Sequence, residues 1–327
     1  MTEKITAYAP HRISYCGGGT DFPAFFDKFG GSVISCSISR FSKIILELTR
    51  NGQMEIKSAN TGEQYIGTME EMEEHKDSMP VQAIILENVA ANIEIESEVP
   101  PGSGLGSSGT LAVNLINSLR NLKGENRLAD LDLANAAYEL ERNKMSKSVG
   151  LQDQIAAAAG GFNFIEFSKN KIEIIPFDKG IANEIVERTL LFYLGMTRDA
   201  NKILKSQEQK IETEKLLELL QQTNSLCKKM KNCMQERKFK EVGLTLENAW
   251  DLKKQFTENI TNPLIDNVHD TAISAGAHGA KVTGAGGGGH FLVFAEKEHH
   301  ENIVKNLTKL NCKYIPFDIS NKGAWIE

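Results

Sequence analysis

Short runs of alternating or β-branched apolar residues crowd the first third of the chain, at 5–9, 33–38, 44–48, 54–57 and 93–96, and this period of two predicts strands of one sheet. Between them Pro80 opens a segment, 81–91, in which Val81, Ile84, Ile85 and Val89 recur at helical spacing. The acidic run 70–74 just before it reads as a solvated face. From 108 to 122 the positions Leu111, Val113, Leu115, Ile116 and Leu119 predict a buried helix that ends in a polar turn at Gly124, and a second helix is expected over 131–147. Strand-like runs at 162–167 and 172–175, joined across Lys169-Asn170, read as a hairpin. After another apolar strand at 189–194 the pattern turns helical from 200 to about 275, with breaks near Lys238 and at Asn262-Pro263. Strands return at 280–283, 291–295 and 314–317 around a helix at 298–310. The change of texture marks a domain change, and the lack of repeats or low-complexity linkers means that two domains must pack closely.

Composition narrows the function classes. A chain of 327 residues, 41% hydrophobic and 24% charged, suits one large domain or two modest ones sharing a cleft. With 37 Lys and Arg against 43 Asp and Glu, the net charge of −6 has the wrong sign for coating nucleic acid or acidic lipid. An anionic substrate therefore needs a locally basic pocket. Five cysteines without Cys-x-x-Cys spacing suit a reducing compartment, so a cytoplasmic location is expected. Neither a signal peptide nor a membrane-spanning helix is expected, since residues 1–10 read as a strand and no stretch is apolar over the ~20 residues that a span needs.

Three glycine-rich segments carry candidate chemistry. Pro101-Gly102-Ser103-Gly104-Leu105-Gly106-Ser107-Ser108-Gly109 lies between a strand and an apolar helix, where free backbone N–H groups and the helix dipole favour phosphate. Its serines can cap the helix or bind a metal. It is neither a Walker A loop, which ends in Gly-Lys-Ser/Thr, nor a Rossmann fingerprint, because Ser107 stands where the sixth position needs glycine or alanine. Residues 283–289 match Gly-x-Gly-x-x-Gly formally, but a strand follows instead of a helix, so the segment reads as a backbone loop approaching a ligand, or equally as a tight hairpin. The third, residues 9–21, sets Arg12 near a strand end and Asp21 after the turn Gly17-Gly18-Gly19-Thr20.

In this order and at these positions the three segments resemble the GHMP kinases, and within them the D-glycero-D-manno-heptose 7-phosphate kinases, through APHRISYCGGGTDFPAFF and GLQDQIAAAAGGFNFIEF. His11 and Gly109 depart from the residues usual in that family. The resemblance implies an α+β fold of two domains, 1–187 and 188–327, with the active site in the cleft between them. It implies an ATP- and Mg2+-dependent sugar kinase, with residues 101–109 binding ATP phosphates. Asp153 is then the catalytic aspartate that orients or deprotonates the sugar hydroxyl, and Arg12 its cationic partner. Ser108 and Glu141 hold Mg2+, with Glu139 as a weaker alternative to Glu141. Gly18, Gly19, Thr20, Asp21, Gly286 and Gly287 contact the sugar. Arg198 either receives a substrate phosphate or pairs with a neighbouring carboxylate. His290, His299 and His300 read as uninvolved.

Galactokinase- or fucokinase-like sugar 1-kinases are alternatives. A catalytically silent sugar- and nucleotide-binding homologue is weighed against by the presence of Arg12, Ser108, Glu141 and Asp153, and an isoprenoid member by the polar Gly17 to Asp21 turn. The expected partner is a small sugar or sugar phosphate, with no nucleic acid and no membrane.

Overall fold

The computed structural model of the chain describes residues 4–49, 51–196, 200–211 and 213–327. Its elements begin with β1 (Lys4–Cys16), α1 (Pro23–Phe29), β2 (Gly31–Leu48), β3 (Met54–Ser58), β4 (Gln64–Gly67), α2 (Met69–Met72), α3 (Met79–Glu87) and β5 (Ala91–Ser97). They continue through α4 (Ser107–Leu122), α5 (Asp130–Glu139), α6 (Gln152–Ala159), β6 (Phe162–Ser168), β7 (Lys171–Pro176), α7 (Lys179–Val186) and β8 (Thr189–Tyr193). The remainder is α8 (Ala200–Lys210), α9 (Glu214–Gln235), α10 (Phe239–Lys253), α11 (Pro263–Ser274), β9 (Gly279–Val282), β10 (His290–Phe294), α12 (Lys297–Lys309), β11 (Lys313–Tyr314) and β12 (Trp325–Ile326).

The first sheet runs β12-β1-β2-β5-β3-β4, with β6 and β7 branching from β2. The branch follows from the length of β2. The expected strands at 33–38 and 44–48 are one strand of 18 residues, whose first half pairs β6 (Gly31↔Phe167 to Cys36↔Phe162) and whose second half pairs β5 (Ser42↔Ser97 to Leu48↔Ala91). The polar Ser39-Arg40-Phe41-Ser42 hides this continuity in the pattern, yet Phe41 and Ser42 pair with Pro10 and Ala9. Between Pro10 and Arg12 the register with β2 shifts. A bulge of this kind re-aims the side chains that follow it, Arg12 first. The hairpin across Lys169-Asn170 forms as expected, with Ser168 opposite Lys171.

The second sheet is antiparallel, in the order β11-β8-β10-β9, and helices α8 to α12 surround it. One core packs the first sheet against α3 to α6, and a second packs the later helices on the second sheet. A third joins them: Ile13, Tyr15, Cys16 and Ile34 of the first sheet meet Leu191 and Leu292 of the second, with Cys227, Met230 and Leu246 between. The two halves are therefore one packed body. β12 brings the end of the chain back to β1, pairing Tyr8 with Trp325.

Several boundaries differ from the pattern. The helix expected over 81–91 stops at Glu87, because Asn88 takes the left-handed conformation (φ 51) that ends helices. The helix expected over 131–147 stops at Glu139 and continues as a π-turn, Leu140–Lys144. Short helices at α1, α6 and α7 were not legible, because each offers only two turns of pattern. Among the described residues no helix is long and apolar enough to cross a membrane.

Candidate active site

The strand β1, the start of α4, the start of α6 and the helices of the second half converge on one pocket. Arg12 reaches it from β1. Its Nε donates to Asp153 Oδ1 at 2.7 Å, its Nη2 lies 2.6 Å from the same oxygen, and its Nη1 donates to the Gly104 carbonyl at 2.8 Å. The guanidinium thus ties the carboxylate to the glycine loop. Asp153 occupies the first turn of α6, where a negative side chain complements the helix dipole.

The glycine loop splits into two faces. Gly102, Gly104, Gly106, Ser107, Ser108 and Gly109 line the pocket, and Pro101 lines an adjoining cavity of about 470 Å³. Ser103 and Leu105 face the interior. The Ser103 carbonyl accepts the His290 backbone N–H and lies 2.9 Å from His290 Nδ1, while the Leu105 carbonyl accepts the Arg12 N–H. These two side chains support the loop from behind, which leaves only their backbone for the expected ATP contact. Neither serine caps α4. The N-cap is Gly106, left-handed at φ 73, without a side-chain cap bond. His290, read as uninvolved, pins the loop from β10, and burial pushes it down to about 4.

Ser108 turns to Glu141 instead, its Oγ donating to Oε1 at 2.5 Å. Gln154 Nε2 donates to Glu141 Oε2 at 2.6 Å, and Lys147 Nζ donates to Ser108 Oγ at 2.9 Å. Burial pushes the Glu141 carboxyl above its ordinary value, with the Lys147 charge and the two hydrogen bonds opposing. The π-turn separates the two candidate glutamates, for Glu139 is exposed and bonds Asn143 whereas Glu141 is fully buried and lines the pocket. Among the described residues no group of three His, Cys, Asp or Glu could hold a metal. Ser108 and Glu141 are, however, a pair of hard oxygens that already draws the Lys147 cation, which fits a Mg2+ ion completing its shell with water and phosphate.

Asp21 accepts the backbone N–H of Gly19 (2.9 Å) on Oδ1 and that of Gln152 (3.1 Å) on Oδ2, so it staples the first glycine turn to the start of α6. Burial raises its carboxyl, and the Asp153 charge adds to that. Gly18, Gly19 and Asp21 line the pocket; Thr20 does not. Its hydroxyl bonds the Gly17 and Ser32 carbonyls and is fully buried, so it supports the turn rather than facing the pocket. Of the last glycine loop, Gly284 and Ala285 line the pocket, while Gly286 abuts Ile260 and Gly287 donates to the Ile260 carbonyl. Arg198 lies outside the described residues. The pattern missed Lys147, Gln154, Gln207 and Lys253, none of which stands in a glycine segment. His11 is buried beside the site with Nε2 3.0 Å from Ser97 Oγ, and burial lowers it to about 3, so it is neutral.

Comparison with known proteins gives matches along nearly the whole chain. Residues 66–161 match the model of the GHMP kinases N terminal domain, and residues 229–311 that of the GHMP kinases C terminal. The chain is 30% identical to the D-glycero-alpha-D-manno-heptose 7-phosphate kinase of Campylobacter jejuni, over 98% of both chains. It is 24% identical to a bifunctional fucokinase/GDP-fucose pyrophosphorylase of Arabidopsis thaliana, across 95% of this chain and 31% of that protein. Its structure superposes on the crystal structure of a D-glycero-D-manno-heptose 1-phosphate kinase from Bacteroides thetaiotaomicron with a TM-score of 0.78 at 25% identity, covering 99% and 98% of the two chains. Lactococcus lactis galactokinase shares the fold at a TM-score of 0.79 and 18% identity, over 99% and 95%.

Proposed function

The chain belongs to the GHMP kinase family, and from that premise we propose that it transfers the γ-phosphoryl group of ATP to the anomeric hydroxyl of D-glycero-D-manno-heptose 7-phosphate, giving the 1,7-bisphosphate. The observation that carries the chemistry is the ion pair of Arg12 and Asp153 beside the glycine loop. Transfer needs an acceptor oxygen in line with the phosphorus, neutralised phosphate charge and an outlet for one proton. Asp153 orients the hydroxyl and takes its proton as the oxygen attacks, and Arg12 holds the carboxylate in place and offsets charge on the moving phosphoryl group. An anomeric hydroxyl is more acidic than an ordinary alcohol, which suits a carboxylate base.

Backbone N–H groups of the loop from Gly102 to Gly109 and the start of α4 cradle the phosphates. The adjoining cavity, lined by Ser42, Asn60, Pro80 and Ile95, takes the base and ribose. Ser108 and Glu141 hold Mg2+, which neutralises phosphate oxygens when bound. Gly18, Gly19 and Asp21 hold the sugar, and Arg198 supplies a further cation to it. In this reading residues 1–187 form one domain and 188–327 the other, with β12 returning to the first. The five cysteines are free and buried, in keeping with a cytoplasmic enzyme.

The two heptose relatives are named for substrates carrying phosphate at different positions, so the decisive test is an ADP-release assay over free heptose, its 1- and 7-phosphates, galactose, fucose and mevalonate, with NMR of the product. Turnover confined to the 7-phosphate, with the new phosphate on C1, is the expected result. Equal use of free heptose, galactose or fucose overturns the substrate assignment and leaves the kinase class standing.

A further inference from the structure

A buried amide in the pocket wall has no role in the chemistry above. Gln207, on α8, is 3% exposed and lines the pocket, and its Nε2 finds no hydrogen-bond partner among the described residues. It points at the sugar turn, 2.5 Å from where a Cβ on Gly19 would stand, so only glycine there (φ +100) lets the amide approach. The other side chains nearest that position are the apolar Leu220 and Phe256, which cannot satisfy a donor. A buried donor left unpaired is costly, and its retention points to a ligand atom that completes it.

The helix that carries Gln207 is fastened at both sides, to the first half through Glu208 and Asn201 and to its own half through Ser206. Arg142 grips the adjacent Glu208 with two bonds, of 2.7 and 2.9 Å, Ser206 meets Thr257 at 2.9 Å, and Asn201 Oδ1 accepts the Ser148 N–H at 3.2 Å. One residue away on the same turn, Lys253 Nζ lies 4.0 Å from the Cβ position of Gly18 and donates to the Gly284 carbonyl. The second half thus presents an amide N–H and an ammonium over consecutive glycines. The facing wall offers the carboxylates of Asp21 and Asp153. Acceptors on one side suit sugar hydroxyls; an unpaired amide N–H beside an ammonium on the other suits a group with no proton to give, such as a phosphate ester oxygen.

We propose that Gln207 is a specificity-determining residue, donating its amide to the phosphate that the acceptor sugar already carries, with Lys253 as its cationic neighbour. This rests on the sugar-phosphate kinase reading. A site built to bond an oxygen rejects the analogue that lacks it, so discrimination against the unphosphorylated sugar is expected to depend on Gln207.

The test is steady-state kinetics of the full chain with Gln207→Leu and Gln207→Glu, on heptose 7-phosphate and on free heptose, with melting curves alongside. Gln207→Leu is expected to raise KM for the sugar phosphate about tenfold, with kcat and the KM for ATP held within about twofold. Gln207→Glu should be worse still on the phosphate, because a carboxylate repels it, yet no worse than wild type on free heptose. Binding of the sugar phosphate by calorimetry reads the same loss without turnover. A purely structural role would lower the melting temperature and leave the ratio between the two sugars unchanged, which overturns the proposal. Undiminished use of the phosphate by Gln207→Glu overturns it as well, since the group met is then a hydroxyl. If wild type ignores heptose 7-phosphate but uses another sugar phosphate, only the heptose reading fails, and the same two variants decide the role of Gln207 on that substrate. A wild type that prefers free sugars sinks both.

Discussion

Arg12 and Asp153, 141 residues apart, meet through two guanidinium nitrogens on one carboxylate oxygen, Oδ1. Both of these contacts fall on the same atom, and in the proposed mechanism the carboxylate serves the acceptor hydroxyl. Asp153→Asn keeps the shape and removes the proposed base. Turnover is expected to fall about 100-fold or more, with the ATP dissociation constant changed less than about threefold, as kinetics and calorimetry would measure. Unchanged turnover would remove Asp153 from the mechanism.

Ser108 and Glu141 make a second prediction. Because the Ser108 hydroxyl goes to Glu141 and not to a helix N–H, Ser108→Ala removes the proposed metal oxygen without removing a cap. The magnesium concentration for half-maximal activity should rise about tenfold in Ser108→Ala and in Glu141→Gln. A lost cap would instead lower stability by about 1 kcal/mol with no change in magnesium dependence. A magnesium titration beside a melting curve separates the two.

The strands and long helices were legible because their apolar periodicity is also their burial, as with Leu115, Ile116 and Leu119 on α4. Residues brought together from distant segments were not. Arg12, Ser108, Glu141 and Asp153 emerged through family likeness, since no local pattern says that β1, α4 and α6 share a cleft. Gln207 and Lys253 lay in polar helical stretches where an inward-facing amide or ammonium reads like any solvated one. Thr20, Ser103, Leu105, Gly286 and Gly287 belong to motifs of the pocket but do not line it. A loop has two sides, and sequence adjacency does not say which side a residue takes.

A pH-dependent contribution to stability is expected at the contact of α10 with α11. His269 Nε2 lies 2.7 Å from Glu247 Oε1, and that hydrogen bond raises the imidazole above its ordinary 6.5. The folded protein then binds a proton that the unfolded chain holds less tightly. The pair's contribution is complete below about pH 6.5 and is lost as pH rises through the folded value. The stability gap between wild type and His269→Gln should be on the order of 1 kcal/mol near pH 6 and shrink well above neutrality. Urea melts at several pH values measure it, and a gap independent of pH would mean that the pair acts by packing alone.

Gly150 is expected to be sensitive to substitution, for a reason of space that ties it to the site. A Cβ on Gly150 would overlap Asp21 Oδ2, the oxygen that accepts the Gln152 N–H at 3.1 Å. Asp21 is buried with its other oxygen on Gly19, so the carboxylate cannot retreat without releasing one of the two loops. Gly150→Ala should therefore cost about 1–3 kcal/mol of stability, the range for overpacking a closed site. It should also raise KM for the sugar more than KM for ATP, because the displaced turn carries Gly18 and Gly19 and not the phosphate loop. Gly124→Ala is the matching control. Gly124 has a left-handed φ of +86 with nothing within 4 Å of an added Cβ, so it reports backbone strain without crowding. A melting series with both variants and KM values for both substrates gives the answer. Equal loss in the two variants, with sugar affinity intact in Gly150→Ala, would mean that Asp21 can move and that the staple between the sugar turn and α6 is not rigid.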